Sequence, residues 1–198
     1  MATAFLTADT LEQAFHELGL RARAAGKIVE IAIYGGSALV LTLPGRAATK
    51  DVDAVVQQDA AWLRKAVADL AEEKGWPANW LNDGVKGWLS ERDTDPEAKR
   101  LFKTYPSEDE PGVRLFVASP VYLFAMKCLA MRIGGVDETQ DRSDIESLAR
   151  MLGIATAEQA LQALSHYYPG SRVSPKTQYG IEEIFEQMSA APKDPEAR

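Results

Sequence analysis

The chain has 198 residues, 46% of them apolar and 26% charged, enough for one ordinary globular domain, or one with a small appendage, and too few for two large ones. Its formal net charge of −7 provides no bulk positive field for a polyanion, so a nucleic-acid partner would need a local basic patch. The lone Cys128 excludes an intramolecular disulfide, and with only two histidines a bound metal would be a hard ion held by carboxylates rather than one in a thiolate or imidazole cage.

The first residues lack the basic and apolar regions of a signal peptide, and no apolar run approaches the roughly 18 to 20 residues that span a bilayer. A cytoplasmic protein with no membrane partner is expected. Thr10 followed by Gln13 predicts a capping box, and Leu11, Phe15, Leu18 and Ala22 recur on one helical face that Gly26 stops. Residues 28–34, rich in β-branched side chains and followed by Gly35-Gly36, predict a mostly buried strand, and a short helix from Ser37 to Leu43 follows. After the turn at Pro44-Gly45, residues 50–56 predict a second strand. Asp59 is then expected to cap a helix with Trp62, Leu63, Ala66, Val67 and Leu70 as its apolar stripe.

Residues 75–89, carrying Trp76, Trp80 and Trp88, read as a loop. Residues 91–110, eleven of twenty charged, read as an exposed connection. A third strand is predicted at residues 113–117. Ser119 as N-cap and Pro120 at the first helical position then open a helix to about Ile133, with Leu123, Met126, Ala130 and Ile133 facing the core. Further helices are expected near Ser143 to Leu152, closed by Gly153; from Thr156, whose partner Gln159 completes a capping box; and around Ile181, Ile184, Phe185 and Met188. The fold class implied is α/β (α+β), a small mixed sheet flanked by helices. Residues 1–118 form its core, residues 119–190 a helical portion packed on that core, and residues 191–198 a disordered tail.

The chemistry concentrates in two places on this scaffold. Asp51 and Asp53 stand two apart on a predicted strand, so both carboxylates point to one face. Their mutual repulsion calls for a cation between them, and Mg²⁺ or Mn²⁺ suits such oxygen donors. Gly35 and Gly36 let the backbone approach a ligand closely, and the helix opening near Ser37 offers amide donors to a phosphate. Metal at one end and phosphate at the other is what phosphoryl or nucleotidyl transfer needs.

Gly35, Gly36 and Ser37 after a strand, a short helix, and then Asp51 and Asp53 on the next strand resemble the signature of the nucleotidyltransferase superfamily that includes DNA polymerase β. The Thr49-to-Asp53 form, the stretch from Ser119 to Lys127, and Asp141 to Asp144 look like the AbiEii/MenT-type toxins of bacterial toxin–antitoxin systems and their minimal relatives. The resemblance covers roughly residues 28 to 152. It implies a polymerase β-like core, Mg²⁺ or Mn²⁺ held by Asp51 and Asp53, and a nucleoside triphosphate as substrate. It also implies a catalytic lysine and aspartate at Lys127 and at either Asp141 or Asp144, a tRNA 3′ end or protein side chain as acceptor, and a cognate antitoxin as partner.

The same residues have plainer readings: Lys127 as a lysine lying along its helix, Asp144 as a first-turn acid, Asp141 as a loop acid. Arg46 and Lys50 flank the carboxylates, either solvated or steadying triphosphate oxygens. Residues 80–83 could stack on or hydrogen-bond a base or an acceptor, or simply pack. His16 and His166 read as structural, and Cys128 as a small buried apolar residue. Many superfamily members carry a third carboxylate on a following strand, whereas the strand at 113–117 offers only Arg114. Three readings follow: a metal-dependent nucleotidyltransferase, a catalytically degenerate nucleotide-binding or regulatory module of the same fold, and a kinase-like transfer of the terminal phosphate.

Overall fold

The computed structural model describes residues 5–132 and 138–190. They fall into two compact units, one of residues 5–89 and 93–119, the other of residues 90–92, 120–132 and 138–190. The predicted fold class holds: five strands form a mixed sheet accompanied by helices.

In the first unit, β1 (Val29–Ile33), β2 (Val52–Val56), β3 (Leu81–Asn82), β4 (Lys99–Pro106) and β5 (Pro111–Ala118) lie in the order β3-β2-β1-β5-β4. β1 runs antiparallel to β2, with Ile33 opposite Ala54, and parallel to β5, with Ile33 opposite Val117. β3 extends β2 in parallel, and β4 closes the other edge antiparallel to β5.

Helix α1 (Ala8–Ala24) buries Leu11, Phe15, Leu18 and Ala22 as its spacing predicts. Its cap is Thr7, three residues before the expected box, because the Thr7 hydroxyl reaches the Thr10 amide from an extended backbone. The helix meets the sheet backbone to backbone. A Cβ on Gly112 would stand 1.9 Å from the Gly19 carbonyl oxygen, and one on Gly19 would stand 2.7 Å from the Tyr105 carbonyl. Phe15 stacks beside this contact on Tyr105, their centroids 6.1 Å apart.

Helix α2 (Gly35–Thr42) starts two residues earlier than predicted, on the glycines themselves. Helix α3 (Ala60–Lys74) buries Leu63, Ala66, Val67 and Leu70. Asp59 holds its N-cap position in a left-handed conformation (φ 55°) without capping by its side chain. The carboxylate instead pairs with Lys27 Nζ at 2.6 Å.

The two segments read as loop are structured. Residues 75–89 contain β3 and a 3₁₀ turn, Gly84–Trp88. Trp80 is buried, its indole donating to the Val67 carbonyl at 3.2 Å and meeting Trp76 edge-on at 5.2 Å. Its face is taken up by packing. Residues 91–110 contain a 3₁₀ turn, Glu91–Thr94, and the whole of β4. Charge density misled here because edge strands tolerate Lys and Arg on their open side. Lys103 pairs with Glu12, and Lys99 with Asp93.

The second unit is helical: α4 (Pro120–Ala130), α5 (Glu138–Leu152), α6 (Ala157–Tyr167) and α7 (Pro175–Ala190). The Thr156–Gln159 capping box forms as predicted. α4 ends at Ala130 and is buried on most of its circumference, Cys128 included, rather than along one stripe. α5 begins five residues before Ser143, which places Asp141 in its first turn instead of a loop. Burial pushes the Cys128 thiol well above the usual range. Ser90 joins this unit by donating its amide to the Tyr122 hydroxyl at 2.8 Å, and Tyr122 stacks on Tyr167 at 4.6 Å. His16 is exposed, as is His166, which meets Tyr167 edge-on. Ile133 and the expected tail at 191–198 lie outside the described residues. Among the described residues no helix is long and apolar enough to cross a membrane.

The Gly19–Gly112 contact generates a prediction. Gly112→Ala must push α1 off the sheet, and overpacking of this kind costs about 1–3 kcal/mol. Urea unfolding of the full chain should show that loss, while Gly87→Ala, where a Cβ meets nothing within 4 Å, should not lower stability comparably.

Candidate active site

The glycine turn and the carboxylates are brought together by one hydrogen bond across β1 and β2. The Tyr34 amide donates to the Asp53 carbonyl at 2.9 Å, extending the antiparallel ladder to the residue before Gly35. Gly35 then turns with φ 55°, and a Cβ there would lie 2.9 Å from Asp53 Oδ2. A Cβ on Gly36 would lie 2.5 Å from Thr49 Oγ1 and 3.5 Å from Arg46 Nη2. Only glycine permits the first turn of α2 to sit this close to Asp53 and Thr49.

The turn is anchored on its far side as well. Tyr34 is fully buried, and its hydroxyl donates to Asp93 Oδ1 at 2.8 Å. Lys99 Nζ pairs with Asp93 Oδ2 at 2.5 Å. Thr49 is fixed by paired backbone bonds to Leu6 of 2.7 and 3.0 Å, and its hydroxyl donates to the Asp51 carbonyl at 3.2 Å.

Ser37 is fully buried, and its hydroxyl donates to the Tyr34 carbonyl at 3.0 Å. Its side chain is committed to starting the helix, so what this turn can offer a phosphate is backbone amide. Arg46 is half-buried with its guanidinium over Gly36, and Lys50 is exposed next to Asp51.

Asp51 immediately precedes β2 and Asp53 lies within it, both half-buried. The 80–83 segment, read from the sequence as a stretch that could stack, hydrogen-bond or pack, supplies a residue whose contact with these carboxylates sequence reasoning did not foresee. Asn82 lies opposite Asp53 in the parallel β2–β3 register, and its Nδ2 donates to Asp51 Oδ2 at 3.0 Å. The sheet order explains why no acid was found on the expected strand. β5 flanks β1 on the side away from β2, so Arg114 faces Glu30 at 3.5 Å, and the neighbour of Asp53 comes from β3. The sequence cue was Asn82 two residues after the buried Trp80; it was obscured because a two-residue strand leaves no periodicity to read.

Two carboxylates with hard oxygen donors fit a divalent cation, since Mg²⁺ commonly takes one or two carboxylates and completes its shell with water and substrate phosphate. The glycine cradle leaves space against Asp53 Oδ2 that a Cβ would fill. Among the described residues no group of three or more His, Cys, Asp or Glu could hold a metal.

The remaining three predicted residues gather in the second unit. Lys127 Nζ lies 3.1 Å from Asp141 Oδ1 and 2.8 Å from Asp144 Oδ2, and Arg132 Nε lies 3.1 Å from Asp141 Oδ2. Gln140 Nε2 donates to Asp144 Oδ1 at 3.0 Å. The side chains of Lys127, Asp141 and Asp144 are 14%, 6% and 2% exposed, which makes Lys127 a buried ion-pair centre rather than a snorkelling lysine. Burial by itself raises the Asp141 carboxyl, but Arg132 and Lys127 outweigh it and hold the group below its ordinary range. A shallow surface depression between α5 and α7, lined by Arg132, Asp141, Arg142 and Glu183 among others, borders the cluster. Its cations are matched by anions, Arg142 lying 3.0 Å from Glu146 and 4.0 Å from Glu183.

No protein-family model and no curated protein matches this chain. Among solved structures, an antigenic nucleotidyltransferase-like protein from Paracoccidioides brasiliensis is similar to it at a TM-score of 0.48 and 16% identity, over 92% of this chain and 95% of that one.

The buried cluster sets an expectation for pH. A carboxyl whose folded pKa is depressed contributes stability above its unfolded pKa and loses it as pH falls through the folded one. Asp141→Asn should therefore flatten the acid limb of the stability profile below the ordinary Asp range, measured by urea unfolding from about pH 1.5 to 6. Lys127→Met takes from the buried Asp144 its 2.8 Å cation, while Asp141 keeps Arg132, and should cost about 3–5 kcal/mol at neutral pH.

Proposed function

We propose that the chain is a metal-dependent nucleotidyltransferase that moves a nucleoside monophosphate from a nucleoside triphosphate to an acceptor hydroxyl. The observation that carries this reading is the glycine turn built against the carboxylates. Gly35 and Gly36 bring the amides at the start of α2 beside Asp53, and Asp51 is oriented next to it by Asn82.

On this reading the α2 amides and the Arg46 guanidinium hold the triphosphate oxygens, with Lys50 at the rim. Asp51 and Asp53 hold Mg²⁺ or Mn²⁺, which when bound neutralises phosphate charge and polarises the α-phosphoryl group. The acceptor hydroxyl oxygen attacks the α-phosphorus in line and releases its proton to solvent, the bond to the bridging oxygen breaks, and pyrophosphate leaves with the electron pair. The protein's own contribution is positioning and charge, which is most of what phosphoryl transfer requires. Lys127 with Asp141 or Asp144 is the second constellation that the family resemblance assigns to the reaction. A tRNA 3′ end or a protein side chain is the acceptor class, and a toxin neutralised by a cognate antitoxin is the biological role that the same resemblance suggests.

One observation favours a second reading. An amide stands beside Asp53 where a third carboxylate would complete the expected set, and a nucleotide-binding module without transfer would tolerate that. The two readings separate in one assay, in which each α-phosphorus-labelled nucleoside triphosphate is incubated with Mg²⁺ or Mn²⁺ and the protein in the presence of total RNA and total protein. Nucleotidyl transfer predicts label on one fraction, lost at least a hundredfold in the Asp51→Asn, Asp53→Asn double variant. Label on neither fraction, with nucleotide still bound, supports the binding module. A parallel incubation with γ-phosphorus-labelled nucleoside triphosphates tests the third reading, label from the γ-position alone establishing a kinase-like transfer.

A further inference from the structure

Asn82 is more than a neighbour of the carboxylates, because both ends of its amide are engaged. Nδ2 donates to Asp51 Oδ2 at 3.0 Å, while Oδ1 accepts from the Gly84 amide at 2.9 Å. The opposite flip would set Oδ1 against a carboxylate and Nδ2 against an N–H, so this bonding pattern fixes the orientation. Gly84 in turn allows the close approach. A Cβ there would stand 2.9 Å from Asn82 Oδ1 and 3.9 Å from Asp53 Oδ1. One short segment thus touches Asn82 and comes near Asp53, and Asn82 reaches Asp51.

Aspartate has nearly the same shape as asparagine but could not serve here unaided. It would place a carboxylate oxygen about 3.0 Å from Asp51 Oδ2, the distance now spanned by the amide, and like charges that close need a further proton or cation. The amide orients Asp51 and adds no charge of its own. Two carboxylates balance one divalent ion, and a third would create demand for another.

We propose that Asn82 is a positioning residue that presents Asp51 to a divalent cation and restricts the Asp51–Asp53 site to a single ion. The inference rests on reading Asp51 and Asp53 as the metal-holding pair. It deepens that reading by assigning the ion count to a residue outside the pair.

The test is a Mn²⁺ titration of the full chain, with free Mn²⁺ followed by electron paramagnetic resonance, on wild type, Asn82→Ala, Asn82→Asp and the Asp51→Asn, Asp53→Asn double variant. Circular dichroism confirms that each is folded. The expected result is one ion per wild-type chain, absent from the double variant. Asn82→Ala should bind it at least tenfold more weakly, as loss of a residue orienting a metal ligand commonly does. Asn82→Asp should take a second ion, and a variant that still holds only one overturns the restriction to a single ion. Two ions on wild type, or unchanged binding in both Asn82 variants, overturns the assignment to Asn82 and leaves the metal pair standing. No ion on wild type, or one that persists in the double variant, overturns the pair and the inference with it.

Discussion

The antiparallel register of β1 on β2 is the constraint from which the candidate site follows. With Ile33 opposite Ala54, the ladder's next bond runs from the Tyr34 amide to the Asp53 carbonyl, and the chain must turn at once into α2. That bond places two glycines within van der Waals reach of Asp53 and Thr49. A slip of one residue would send Asp51 and Asp53 to the opposite face and separate them from the turn. The buried Tyr34, tied through Asp93 to Lys99, resists such a slip, because its hydroxyl would lose a buried partner.

Charge is handled differently in the two units. Around Lys127 two cations meet two buried carboxylates at 2.8 to 3.1 Å, the second cation, Arg132, standing largely exposed. Such an arrangement tolerates burial only while every member is present. Asp51 meets the neutral Asn82 amide instead, an interaction that fixes its geometry without cancelling its charge. A carboxylate that is oriented and still anionic suits cation binding, whereas one locked into an ion pair does not.

Much of both units is legible from local patterns. The β-branched run before Gly35-Gly36 forms β1, the apolar stripes at Leu11 to Ala22 and Leu63 to Leu70 are buried, and Thr156 with Gln159 caps α6. These features depend on residues within a few positions of one another. The reading failed where the partner is distant. β4 carries charges typical of a loop and is a strand because β5 pairs with it, Asp59 abandons its cap for Lys27, and Trp80 is buried through the carbonyl of Val67.

By itself, then, the sequence determined the glycine turn, the strand that carries Asp53 with Asp51 immediately before it, and the helical character of the chain beyond Ser119 among the described residues, because periodicity and backbone freedom are local properties. Tertiary structure alone decided that Asn82 stands beside Asp53, that Arg114 faces Glu30, and that Lys127, Asp141, Asp144 and Arg132 form one cluster. Each of those pairings spans many residues of chain. Which partners meet is set by sheet order and helix packing, and neither is written in the spacing of any one segment.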